Sequence, residues 1–275
     1  MKGKRSLLEK LAAVPHMVFV LLFVIGPLLF VLYFALTDTK GNFSFVNIQL
    51  LSSYSHIFFL SICFSLVATA ICLLIGYPLA FVMSRAKPSV QKLLMVFLML
   101  PMWISLLIRT YSLMTLLDNG GLINSLLTAM GLSPVTMIGT GGAVILGMMY
   151  DFLPYMVLPI YTSMSKFNNR YLEAAADLGC NGIQTLFRVV LPLTMPGIIS
   201  GVTMVFVPSI STFYISQKLG GGNFDLIGDT IERQFQYTST YHVGAALSLV
   251  MMVLILVSVL IMNRFSDAEG EEMLA

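Results

Sequence analysis

Two ionisable residues, Arg109 and Asp151, stand inside long apolar stretches, where a charge is costly enough to mark a functional candidate by default. A carboxylate there could meet a passing cation, and aromatic faces beside it could hold an ammonium group through cation–π contacts. Tyr155 lies one helical turn from Asp151, Tyr150 lies on the adjacent stripe, and Trp103, Tyr111 and Tyr214 are candidates for the other walls. The plainer alternative is that Arg109 and Asp151 pair, or that Arg109 reaches the headgroups along its stem. By helical rise, Asp151 sits ~12 Å below the outer end of its stretch and Arg109 ~24 Å above the inner start of its own, so the two come to similar depth.

Covalent catalysis finds no machinery. His16, His56 and His242 are far apart near the ends of apolar runs, and Asp151 has no second carboxylate beside it. No catalytic residue and no metal site is expected. Cys63, Cys72 and Cys180 form neither a disulfide framework nor a metal-ligand spacing. Asp225, Asp229 and Glu232, opposed by Lys218 and Arg233, form an acidic stretch that reads first as a solvated loop of net charge −1, with attraction of a cationic ligand or docking of a binding protein as the alternative.

The elements that must position these residues follow from composition. Of 275 residues, 10% are charged and 57% hydrophobic, which excludes a water-soluble globule. Charge is absent from Leu11 to Thr37, Gly41 to Ser84, Leu93 to Ile108, Val189 to Gln217 and Gln234 to Asn263. A bilayer core of ~30 Å needs ~20 helical residues. This predicts an all-α integral membrane protein with six transmembrane helices near 14–36, 58–83, 93–116, 143–164, 195–216 and 243–262. Helices are required because lipid offers no partner to a backbone amide and the alternation of a barrel strand is missing. The basic start, Lys2, Lys4, Arg5 and Lys10, precedes an apolar run too long for a cleaved signal and reads as a retained anchor.

With both termini on one side, that side carries eleven Lys and Arg residues against four opposite, which predicts cytoplasmic ends. A basic N-terminus (1–13), a transmembrane body (14–264) and an acidic tail (265–275) result, with 167–188 as the longest internal connection. Pro27, Pro101, Pro154, Pro159 and Pro208 interrupt apolar runs. Clustered with Tyr150, Asp151 and Tyr155, Pro154 and Pro159 make the fourth span the expected one to open around a passage. Gly197 and Gly201 form a small-xxx-small pair suited to close helix packing.

The internal connection reads YLEAAADLGCNGIQTLFRVVLPLTMPGIISG from Tyr171. Glu173 suits a helix start, Ala174 to Ala176 are helix formers of small bulk, and Gly179 is a natural stop. A second short helix is expected from Ile183 to Val190, broken by Pro192, with Pro196 in the first turn of the next span. The spacing of Glu173, Ala174, Ala175, Gly179, Val189, Leu191 and Pro192 resembles the EAA loop of bacterial binding-protein-dependent ABC importer permeases of the MetI-like type. Val189 stands where that family usually has isoleucine. The likeness extends over PMWISLLIRTYSL, LPYMVLPIY, LPLTMPGIISG, FYIS and the Gly220 to Gly222 turn, and is greatest for the permeases of spermidine/putrescine importers.

That resemblance implies a type I ABC importer permease fold with a cytoplasmic coupling helix, in which Glu173, Ala174, Ala175, Asp177, Gly179, Leu191 and Pro192 couple to an ATPase. It implies as partners a second permease, a cytoplasmic ATPase dimer, an external polyamine-binding protein and the surrounding lipid, with no nucleic acid. ATP with magnesium would belong to the ATPase, and this subunit would hold no cofactor. The alternatives are a permease of the same type for phosphonate, sulfate or iron, or a secondary transporter, which would be expected to carry internal symmetry and more intramembrane charges.

Overall fold

The structure, a computed structural model, describes residues 7 to 272 except 39, 167 and 169. Lys2, Lys4 and Arg5 of the basic start, and residues 273–275 of the acidic tail, lie outside the described residues. Among the described residues, secondary structure is helical apart from one isolated antiparallel bridge, Thr37 to Phe43. In order these are α1 (Leu7–Val20), α2 (Gly26–Ala35), α3 (Val46–Leu50), α4 (Ser55–Arg85), α5 (Pro88–Met99), α6 (Leu106–Leu117) and α7 (Leu122–Ala129). They continue with α8 (Gly141–Lys166), α9 (Arg170–Asp177), α10 (Gly182–Thr185), α11 (Leu191–Ser211), α12 (Tyr214–Leu219), α13 (Ile227–Gln236) and α14 (Tyr241–Glu272). Among the described residues, five continuous helical stretches are long and apolar enough to cross a membrane, and a sixth crossing is obtained if one bent pair counts as one span.

Contacts divide the chain into two compact units. The smaller comprises the residues up to Ser55 together with Thr230–Val253. It has a small core of Ala35, Ala245 and Ala246, and His242 Nδ1 lies 3.0 Å from the Phe34 carbonyl. Asn47 Nδ2 donates to the Thr37 carbonyl at 2.8 Å and so ties α3 to the end of α2. Just beyond α2, Asp38 accepts from the backbone amides of Lys40 and Asn42, each at 2.9 Å. Those hydrogen bonds, the one from Asn42 foremost, hold its carboxyl below the usual carboxylate range.

The larger unit, His56–Asp229 with Leu254–Ala275, is built on α8. Eleven α8 residues are buried, among them Met148, Met156, Val157 and Ile160. The principal neighbour of α8 is α11, and the contact is tight because α11 presents glycine. A Cβ on Gly197 would stand 2.6 Å from Ser163 Cβ and 2.8 Å from the Pro159 carbonyl, and one on Gly201 3.0 Å from the Met156 carbonyl. This is the close approach expected of the small-xxx-small pair. On α4, Gly76 meets Met156 and Val157 in the same way. Tyr77 and Thr194 hydroxyls, 3.1 Å apart, link α4 to α11. Tyr161 donates to Gln91 Oε1 at 3.2 Å, while Gln91 Nε2 donates to the Ser84 and Ala86 carbonyls. These bonds staple the α4–α5 turn to α8.

Three sequence expectations are corrected. The fourth span does not open: α8 runs unbroken through Pro154 and Pro159. The break falls in the third apolar run, where Leu100–Trp103 is a 3₁₀ turn, Ile104 and Ser105 are extended, and the Pro88–Trp103 and Leu106–Ala129 pieces meet at 96°. Pro192 does not end a helix either, nor does Pro196 begin one. Gly182–Ser211 is one helical stretch in which a π turn at Leu186–Val190 precedes Pro192, and Pro196 lies inside α11. A π turn at Leu21–Ile25 precedes Pro27 likewise. In both, the residue before proline bonds five positions back, Gly26 to the Leu21 carbonyl and Leu191 to the Leu186 carbonyl. The widened turn moves aside the carbonyl that a proline ring would otherwise strike, so the helix continues.

Candidate functional site

The segment between α8 and α11 is shaped by local chemistry. Glu173 sits in the first turn of α9, where a carboxylate complements the exposed amides. The helix ends in a Schellman arrangement: Cys180 N–H donates to the Ala175 carbonyl at 3.0 Å and Gly179 N–H to the Ala176 carbonyl at 2.9 Å. Gly179 has φ +77°, a conformation that costs glycine nothing. Asn181 then starts α10 with a capping box, its Oδ1 accepting from Gln184 N–H at 2.8 Å and its own N–H donating to Gln184 Oε1 at 3.0 Å.

Of the residues singled out here, Ala175 is buried, whereas Glu173, Ala174, Asp177, Gly179 and Pro192 are exposed and Val189 and Leu191 half-buried. The segment also displays apolar side chains. Leu178 is 84% exposed and Ile183 71%, with Phe187 and Tyr171 exposed nearby. A compact, capped helix that shows apolar side chains is a contact surface.

In the apolar body, Arg109 of α6 and Asp151 of α8 do meet. Arg109 Nη1 stands 3.0 Å from Asp151 Oδ1 and 3.4 Å from the Asp151 carbonyl, with both side chains buried. The plainer of the two readings therefore describes the pair: the Asp151 charge is neutralised by Arg109 rather than left free for a cation. The contact is close in distance but poorly directed, since among the described residues Asp151 Oδ1 and Arg109 Nε have no hydrogen-bond partner.

The aromatic candidates separate. Tyr155 turns into the core and meets Phe152 at 6.4 Å between centroids. Tyr150 is exposed, and Trp103, in the broken run, is 78% exposed. Tyr111 and Tyr214 are brought together edge to face, centroids 6.1 Å apart. Between them stands a residue that sequence reasoning did not select. Lys218 Nζ lies 5.3 Å from the Tyr111 centroid and 5.6 Å from that of Tyr214. The spacing Tyr214 to Lys218, one turn of α12, was the available signal.

The acidic stretch does not present three free charges. Asp229 is buried and accepts from the Leu226 N–H at 2.9 Å, so it caps its own loop.

Residues 73–268 match the family of binding-protein-dependent transport system inner membrane components. The spermidine/putrescine transport system permease protein PotB of Haemophilus influenzae is 41% identical over 213 residues, 77% of this chain and 74% of that one. The protein of the same name from Escherichia coli K12 is 38% identical over 215 residues, 78% of each chain. Among solved structures, a chain of a bacterial alginate ABC transporter, crystallised with its alginate pentasaccharide-bound periplasmic protein, superposes with a TM-score of 0.76. At 21% identity over 94% of this chain and 93% of that one, the likeness is one of fold.

Proposed function

We propose, for a chain that belongs to the binding-protein-dependent transport system inner membrane component family, the role of a permease subunit that passes spermidine or putrescine into the cytoplasm. The chain is a multi-pass protein of the bacterial inner membrane and a transporter permease rather than an enzyme. The polyamine assignment rests on the 41% and 38% identity to two proteins named for spermidine and putrescine transport. The fold does not choose the substrate, since an alginate transporter shares it.

The observation that carries the mechanism is the exposed, doubly capped segment between α8 and α11. A cytoplasmic ATPase dimer, holding ATP and magnesium, grips this segment around Glu173, Ala174 and Asp177, with Leu178 and Ile183 as apolar anchors. The push cannot be absorbed locally. The helices on either side, α8 and α11, are packed through Gly197 and Gly201, and α4 is tied to both by Tyr77–Thr194 and by the Gln91 staple. The helices therefore move as a block, which is what converts ATP binding and release into alternating access with a second permease and an external polyamine-binding protein. On this reading the termini and the α9 segment face the cytoplasm, as the Lys and Arg count requires.

The test is co-purification and uptake. Glu173→Lys and Gly179→Asp should each release or uncouple the ATPase while the permease stays in the membrane. An ATPase that remains bound and coupled in both variants ends the coupling assignment. Uptake of labelled spermidine and putrescine, challenged with sulfate, phosphonate and ferric iron, decides the substrate independently.

A further inference from the structure

A lysine side chain is four methylenes ending in a primary ammonium, which is the chemical end group of putrescine and of one arm of spermidine. The Lys218 ammonium lies over two tyrosine rings, 5.3 Å from the Tyr111 centroid and 5.6 Å from that of Tyr214, and also meets the Tyr111 hydroxyl. The rings come from different elements, α6 and α12, which pack directly on each other. Two electron-rich faces converging on one ammonium are a recognition site for an alkylammonium group. In the chain by itself Tyr111 is 46% exposed and Lys218 half-buried, and a flexible four-carbon stem swings away without disturbing the helix that bears it. Asp151 is buried and its charge is paired with Arg109 at 3.0 Å, so it is not a free competing attraction.

We propose that Tyr111 and Tyr214 form an alkylammonium subsite on the transport path and that Lys218 is its tethered occupant, displaced when an ammonium group of the substrate takes its place. The proposal rests on the polyamine reading above and adds to it a site and a built-in competitor. Competition sets the sign of the effect. A group that already fills the subsite weakens apparent substrate binding, and the strength of partly exposed cation–π contacts makes that weakening about two- to tenfold.

The experiment measures initial rates of labelled putrescine and spermidine uptake in cells expressing the chain with its partner subunits, normalised to permease in the membrane. Lys218→Met should lower KM about two- to tenfold, and Lys218→Gln, run beside it, should do the same. Lys218→Arg, which keeps a cation over the rings, should leave KM within about twofold. In a Tyr111→Leu/Tyr214→Leu background Lys218→Met should no longer lower KM, whereas a Tyr111→Phe/Tyr214→Phe background should preserve the Lys218→Met effect. An unchanged or raised KM in both neutral variants overturns the subsite, as does an equal fall without the rings, which is simple long-range repulsion. If the unmodified transporter takes up neither amine, the polyamine reading falls and the subsite with it. If it takes them up and the Lys218 variants fail the test, only the subsite falls.

Discussion

The run from Pro88 to Ala129 and helix α8 contain the same helix breaker and respond in opposite ways. Pro101 lies at a 96° break, while Pro154 and Pro159 lie inside 26 unbroken helical residues. Proline chemistry is identical in both, so the difference must come from the surroundings. α8 is walled by α4 and α11, and eleven of its residues are buried. Among the described residues, α5 buries none of its side chains. In α8 the missing backbone hydrogen bonds are tolerated because neighbours hold the helix on course, whereas in the less buried run the chain is free to turn just beyond the proline, at Ile104 and Ser105. On the proposed reading the packed helix serves as the lever and the broken run as a wall, the latter carrying Trp103, Arg109 and Tyr111 at or just beyond its bend.

The only ion pair tying the two regions together among the described residues is Arg109–Asp151, so the largest effect is expected there. Asp151→Asn leaves the Arg109 guanidinium buried without a counter-charge, which costs about 3–5 kcal/mol. Thermal unfolding of the detergent-solubilised transporter should show that loss. An Arg109→Met/Asp151→Leu double variant should recover most of it, because an apolar pair of similar volume needs no compensation in this setting. Failure of the double variant to recover would give the pair a role beyond holding α6 against α8.

Next comes the lever itself. Gly197→Val places a Cβ where Ser163 Cβ would be 2.6 Å away and the Pro159 carbonyl 2.8 Å away. Neither neighbour is the far end of a flexible side chain. The expected loss is about 1–3 kcal/mol, read as reduced permease in the membrane and lower thermal stability, with Gly197→Ala milder in the same direction. A smaller effect is expected at the end of α9. Gly179→Ala forces a side chain into φ +77° at a cost of about 1 kcal/mol, enough to loosen the Schellman turn. Coupling of ATP hydrolysis to uptake should fall while the amount of permease in the membrane stays the same.

These regions also differ in how far the sequence exposes them. The α9 segment was legible because its determinants are local: Glu173 at a helix start, small residues within, Gly179 at the stop. The Gly197–Gly201 stripe was legible for the same reason, since four-residue spacing is one helix face. Lys218 was missed because its partner Tyr111 lies on another element, and only the fold brings the two rings together. The fourth span was expected to open because Pro154 and Pro159 cluster with Tyr150, Asp151 and Tyr155, whereas the break falls in the third run, which has one proline. Burial decides the outcome, and burial depends on which helices become neighbours. Likewise Pro192 reads as a stop until a π turn five residues long is found ahead of it.

The smallest expected effect sharpens that point most. If Pro101 caused the bend, Pro101→Ala would straighten the run. The backbone says otherwise: the chain turns at Ile104 (φ −86°, ψ 136°) and Ser105 (φ −53°, ψ 138°), both extended and both beyond the proline. Restoring one N–H at position 101 leaves those two residues extended, and the seating of Arg109 against α8 remains as it was. Spin labels at Phe97 and Ser112, one on each side of the break, should therefore give the same distance in Pro101→Ala as in the unmodified protein. Stability should change by less than about 1 kcal/mol. Breaking the Arg109–Asp151 contact in the same labelled protein should broaden the distance distribution, because the pair rather than the proline holds the far half of the run in place. A longer distance in Pro101→Ala, approaching that of a continuous helix, would return the bend to the proline.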